Sequence, residues 1–147
     1  MAKILVVDDE TPVLQEILRI LGGEGYKVTC VPSGEKALEE LRASRYDLLL
    51  TDYDMGELTG PDLIGIVSGE DVMSKANQFF GESLEGYADF VEQYKKLPMI
   101  LMTKDLSQGE RNTVKLQGGT DCINKNWESP LIDRSELVSM VQKYTTH

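Results

Sequence analysis

Tyr46–Gly60 reads YDLLLTDYDMGELTG, an apolar run that stops at Asp52-Tyr53-Asp54. The run is too short for a typical helix, and its unbroken Leu48-Leu49-Leu50 core suggests a strand buried on both faces, as in a parallel sheet. Ile4-Leu5-Val6-Val7 has the same character and stops in the same way, at Asp8-Asp9. Working outward from these two, strands are expected at Lys3–Val7, Lys27–Val31, Asp47–Thr51, Met99–Met102 and Asp121–Asn124.

Helical patterns lie between the strands. Thr11 offers an N-cap followed by Pro12, with Val13, Leu14, Ile17, Leu18 and Leu21 as a stripe and Gly22-Gly23 as the stop. Ser33 can cap a helix carrying Ala37, Leu38 and Leu41. Pro61–Val67 starts a third helix, and Ser107–Leu116 reads as a weaker one. Asp133 with Glu136 reads as a capping box ahead of Leu137, Val138 and Val141. Strands alternating with helices predict a doubly wound α/β sheet.

Composition narrows the function. The 147 residues fit one domain. No apolar run reaches membrane-spanning length and no charged-then-apolar signal precedes Ile4, so a soluble cytoplasmic chain is expected. The 25 acidic against 15 basic residues give a net charge of −10, which argues against direct nucleic-acid binding. Cys30 and Cys122 have neither metal-ligand spacing nor the look of a disulfide framework. The single histidine is His147, which excludes mechanisms that need a placed imidazole, Ser-His-Asp hydrolysis among them.

Polar residues interrupt the apolar runs at their carboxyl ends. Asp8-Asp9 follows the first, Asp52 the third, Thr103 the fourth and Lys125 the fifth. In an open parallel sheet these ends meet where strand order reverses, so the five residues should share one pocket. Three carboxylates together call for a cation, and an all-oxygen set suits Mg²⁺. Asp52 can then act as a carboxylate nucleophile toward phosphorus. Lys125 and the metal would offset phosphoryl charge, and the Thr103 hydroxyl would donate to a phosphoryl oxygen.

Four stretches carry a family resemblance: KILVVDDE at Lys3–Glu10, YDLLLTDYDMGELTG at Tyr46–Gly60, PMILMT at Pro98–Thr103 and INK at Ile123–Lys125. Together they resemble the receiver domains of two-component response regulators, chemotaxis-regulator-like ones in particular. GYKVTCVPSGEKALEEL at Gly25–Leu41 is similar to the family's second βα unit. The resemblance implies a flavodoxin-like strand order 2-1-3-4-5 and a single receiver domain over residues 1–147. It also implies a phosphorylation-dependent signalling switch rather than a conventional enzyme. Asp52 would be the phosphoacceptor, with Asp9 and Asp52 as direct Mg²⁺ ligands, Asp8 acting through water and the Asp54 backbone carbonyl completing the set. Thr103 and Lys125 would be the switch hydroxyl and the phosphate-pairing lysine. The donor would be a sensor histidine kinase, a phosphotransfer protein or a small phosphodonor.

The chain departs from the family pattern in places. Gly56 stands where a proline is usual, Asn126 where a proline follows the lysine, Lys104 where a small residue follows the threonine, and Cys122 where a switch Tyr or Phe is usual. Asp54 and Lys104 are therefore expected to modulate the reaction, and Cys122 the output. Cys30 and Trp127 are expected to pack. Two other readings stand beside this one: a receiver-like interaction module that works without phosphorylation, and a haloacid-dehalogenase-like phosphatase suggested by Asp52-Tyr53-Asp54. In the phosphatase family, however, that motif comes first in the chain and the acidic pair last.

The stretch after the third strand is longer than one crossover helix needs, with an insertion at about 68–90. Asp71–Phe80 and Ser83–Lys96 are expected as helical pieces, the second with Leu84, Tyr87, Ala88, Val91 and Tyr94 on one face. Its aromatics, Phe79, Phe80, Tyr87, Phe90 and Tyr94, either bury one another or leave a docking or homodimer surface.

Overall fold

The apolar runs assemble into one parallel sheet. The computed structural model describes residues 2–70, 84–104, 115 and 118–146. Strands β1 (Lys3–Val7), β2 (Lys27–Val31), β3 (Leu48–Asp52), β4 (Met99–Thr103) and β5 (Asp121–Asn124) lie in the order β2-β1-β3-β4-β5. This is the flavodoxin-like order. β3 and β4 are buried along their whole length, whereas the edge strand β2 is buried only at Val31.

Alternation along each strand feeds two cores. Ile4, Val6, Leu48, Leu50, Ile100 and Met102 face helices α1 (Thr11–Gly23) and α5 (Arg134–Thr145). Leu5, Val7, Leu49 and Leu101 face α2 (Gly34–Ala43), α3 (Gly60–Ser68) and α4 (Leu84–Tyr94). Two covered faces explain why the strands read as continuous apolar runs.

Strand ends shift slightly from expectation, and the shift matters for the site. β3 and β4 each extend one residue further, so Asp52 pairs in register with Met102 and Thr103 with Asn124. Ladder pairing therefore fixes the backbone of both residues. Asp47 lies outside β3, where its carboxylate accepts the Lys3 amide at 2.8 Å.

Helix starts are partly as expected. Ser33 accepts the Lys36 amide and Asp133 the Glu136 amide. Thr11, by contrast, is already helical. The N-cap of α1 is Glu10, which makes no side-chain cap bond, while Pro12 sits in the first turn. α1 stops at Gly22-Gly23 as expected, the pair forming its last residues, and Glu24 closes the helix with its amide on Leu21 O. The cap of α3 was not anticipated: Thr59 and Asp62 form a reciprocal capping box.

α4 buries the stripe that periodicity suggested, rotated so that Phe90 takes the place of Ala88. Phe90 and Tyr94 are buried and Tyr87 is half-buried, while Ala88 is exposed. Docking partners decide this rotation. Tyr87 Oη donates to Ile66 O at 2.8 Å, and Tyr94 Oη reaches Leu41 O at 2.6 Å and Ser44 O at 2.7 Å. The expected helices Asp71–Phe80 and Ser107–Leu116, and with them Phe79 and Phe80, lie outside the described residues apart from Lys115. Among the described residues, no helix is long and apolar enough to cross a membrane.

Candidate functional site

Asp8 directly follows β1, and its side chain is completely buried. Its Oδ1 accepts the Glu10 amide at 2.9 Å, which turns the chain into α1 and aims Oδ2 at the neighbouring strand ends. Lys125 Nζ lies 2.8 Å from that oxygen and 2.8 Å from Asp52 Oδ1. Lys125 is itself held by backbone: its amide donates to Thr103 O at 2.8 Å, and it bridges to Ile132 across the following loop. One buried ammonium thus joins the ends of β1, β3 and β5. Thr103, 5% exposed, completes the floor at the end of β4.

Above this floor lies a cleft of about 560 Å³. Asp52, Thr103 and Lys125 open into it, as do Asp9, Asp54 and Lys104. Every expected site residue is accounted for here except Cys122. That residue pairs with Leu101 inside β5 and is buried in the α2–α3–α4 core, away from the cleft.

Burial and charge set the protonation of the floor. Desolvation pushes the Asp52 carboxyl up to about 6; Asp8 adds to the rise and Lys125 opposes it. Desolvation likewise raises Asp8 against the opposing bond from Lys125. Burial pulls the Lys125 ammonium down, but its bonds to Asp52 and Asp8 outweigh that and leave it above the ordinary lysine value. A single cation between two buried carboxylates leaves negative charge that a proton or a metal must offset.

The donor chemistry fits a hard divalent cation. Carboxylate oxygens of Asp8, Asp9 and Glu10 all lie within 4.8 Å of one another, and Lys125 Nζ links Asp8 to the Asp52 carboxylate beside them. Only oxygen is on offer, which suits Mg²⁺. Asp8 and Asp52 would have to trade part of their hold on Lys125 for the ion.

Three cleft residues were missed in the sequence. Glu10 directly follows the acidic pair, and that adjacency was a usable signal. Tyr53 and Trp127 also line the cleft. Trp127 does not pack as expected: it is 78% exposed, with Lys104 Nζ 4.2 Å from its ring centroid.

Two departures from the family pattern have physical explanations. Gly56 has φ +100°, which a proline ring fixed near −65° cannot adopt. Asn126 uses its backbone amide, donating to Leu131 O at 2.7 Å, and its side chain donates to Pro130 O at 2.7 Å. A proline there would lose the first of these bonds.

Comparison with known proteins agrees with this geometry. The response regulator receiver domain model matches residues 4–76. The two-component response regulator ORR3 of Oryza sativa subsp. indica is 32% identical over 83% of this chain and 78% of its own length. An uncharacterized 14.6 kDa protein of Leptolyngbya boryana is 31% identical over 96% of this chain and 88% of its own. Among solved structures, the Vibrio cholerae chemotaxis protein CheY4 superposes with a TM-score of 0.76 at 24% identity, covering 98% of both chains. The receiver domain of a Pseudomonas aeruginosa sensor histidine kinase, solved with a magnesium ion coordinated in its active site cleft, gives 0.73 at 23% identity, over 99% of this chain and 98% of its own. With the parallel sheet, the acidic cluster beside Asp52 and a relative matched over most of both chains, this chain belongs to the response regulator receiver domain family.

Proposed function

We propose that the chain is a phosphorylation-dependent switch that takes a phosphoryl group on Asp52 in the presence of Mg²⁺. The observation that supports it best is the placement of Asp52 at the floor of an open cleft, with one carboxylate oxygen held by a buried ammonium.

Asp8, Asp9 and Asp52, with the Asp54 backbone carbonyl, would hold the metal, and Asp54 also lines the cleft. When bound, Mg²⁺ would neutralise charge on the phosphoryl oxygens. Asp52 then supplies the nucleophile: a carboxylate oxygen forms a bond to phosphorus as the phosphorus–nitrogen bond of a phosphohistidine breaks. The electron pair stays on the imidazole nitrogen, which recovers a proton from solvent. Lys125 moves from the Asp52 carboxylate to a phosphoryl oxygen, and the Thr103 hydroxyl donates to another. Positioning supplies the rate, since ladder pairing holds Asp52 and Thr103 before the donor arrives.

The donor in this reading is a cytoplasmic sensor histidine kinase, a phosphotransfer protein or a small acyl phosphate. Residues 1–147 act as one receiver unit. Cys122 is too small and too far inside the core for an aromatic switch at β5, so output passes through Thr103 and the loop after it.

Intact-mass measurement after incubation with acetyl phosphate tests the reading. One phosphoryl adduct is expected with Mg²⁺ and none after chelation. Asp52→Asn should abolish it and Asp54→Asn should not. An adduct that survives Asp52→Asn would sink the assignment.

A further inference from the structure

Lys104 follows β4, yet its Nζ lies 3.2 Å from Glu10 Oε1, in the loop after β1. β1 and β4 are not neighbours; β3 lies between them. At about 4.8 Å per strand, the two loops are roughly 10 Å apart. The ion pair therefore crosses over the end of β3, which is where Asp52 sits. On the other side Lys104 Nζ rests 4.2 Å from the ring centroid of Trp127, in the loop after β5. Glu10, Lys104 and Trp127 thus form one chain of contacts across the mouth of the cleft, from the β1 end to the β5 end.

A lysine held at both sides does not behave like a free surface cation. Its charge is shared with Glu10 and with the indole face, and only 22% of its side chain remains exposed. The exposure of Trp127 has no packing explanation, since a ring that is 78% exposed contributes little to the core. Support of Lys104 accounts for its position.

We infer that Trp127 and Glu10 hold Lys104 as a cover over Asp52, and that the cover protects the acyl phosphate from water; this rests on Asp52 being the phosphoacceptor. Hydrolysis forms a bond from a water oxygen to phosphorus and breaks the bond from phosphorus to the Asp52 oxygen. One water proton stays on the departing phosphate, the other goes to solvent, and the Asp52 carboxylate is restored. In-line displacement needs the water opposite the Asp52 oxygen. Because Asp52 forms the floor, that direction is the mouth the cover spans. Trp127 is a positioning residue here, acting through Lys104.

Trp127 is the only tryptophan, so its emission reports the contact alone. Acrylamide quenching should increase in Lys104→Ala, because one indole face is uncovered. The half-life of the phosphorylated chain, followed by intact mass after donor removal, should shorten about threefold in Lys104→Ala and in Trp127→Ala, the scale of one exposed cation–π contact. The double variant should decay no faster than either single one, and Trp127→Phe should keep most of the wild-type lifetime. Unchanged quenching overturns the contact. Increased quenching with unchanged lifetimes overturns the covering role. Failure of the wild-type chain to gain a phosphoryl group would instead overturn Asp52 as acceptor, and the covering role with it.

Discussion

Lys125 Nζ sits 2.8 Å from Asp52 Oδ1, and both side chains are withdrawn from solvent. The same ammonium holds Asp8 at 2.8 Å, so it is the partner of two buried carboxylates at once. Removing one member of such a group leaves unpaired charge where water cannot reach it.

Lys125→Met should therefore lower the stability of the metal-free protein by about 3 kcal/mol, the usual scale for breaking a buried pair from one side. Saturating Mg²⁺ should recover part of the loss by replacing the missing positive charge. Urea midpoints with and without Mg²⁺ measure both. A variant as stable as wild type would show that the carboxylates are solvated in solution.

Proton and metal compete for Asp52. Its carboxyl titrates at about 6 in the metal-free fold because burial disfavours the charged form. Mg²⁺ needs the ionised carboxylate, so apparent affinity should fall about tenfold from pH 7 to pH 5. The stability sign is opposite to that of a salt-bridged carboxylate. With the folded value raised above 3.8, the metal-free fold loses this group's contribution as pH rises from about 4 to about 6. Calorimetric Mg²⁺ titrations from pH 5 to pH 7 check the first statement, and a weakened pH dependence of stability in Asp52→Asn identifies the group, with Asp8 supplying what remains.

Glycines near the site fail for different reasons. A Cβ on Gly60 would collide with the Asp52 backbone carbonyl and press on Leu101. Gly60→Ala should destabilise by about 2 kcal/mol and slow phosphorylation, since the backbone that must move carries Asp52. Gly56 has open space around it but φ +100°. Gly56→Ala should thus cost about 1 kcal/mol of conformational strain with little effect on phosphorylation, whereas Gly56→Pro should be much worse. Thermal midpoints and phosphorylation rates of the three variants test the distinction.

Tyr94 ties α4 to the end of α2 through a hydroxyl placed between two carbonyls, Leu41 O and Ser44 O. Tyr94→Phe removes the single O–H that these two carbonyls share, leaving the buried Leu41 O without it, and should cost about 1–2 kcal/mol. Tyr87→Phe, which removes the bond to Ile66 O, should cost less because that ring is half-buried. Chemical denaturation orders the two; equal and negligible effects would mean that α4 is held by apolar contact alone.

The strands and most of the site were readable from the chain because each depends on short-range pattern. Leu48-Leu49-Leu50 announces a strand covered on both faces, and Asp8, Asp52, Thr103 and Lys125 stand out by ending such runs. The face that α4 buries was readable only in part. Of the expected Leu84, Tyr87, Ala88, Val91 and Tyr94, the last is buried and Tyr87 and Val91 are half-buried, but Phe90 is buried while Ala88 is exposed, and only docking against α3 and the end of α2 decides that exchange. The role of Thr11 depended on which residue first takes helical backbone angles, and Asp8 settles that by capturing the Glu10 amide. Most hidden was the meeting of Glu10, Lys104 and Trp127. Local sequence records nothing of a contact spanning 94 residues, because strand order alone places the ends of β1 and β4 on either side of Asp52.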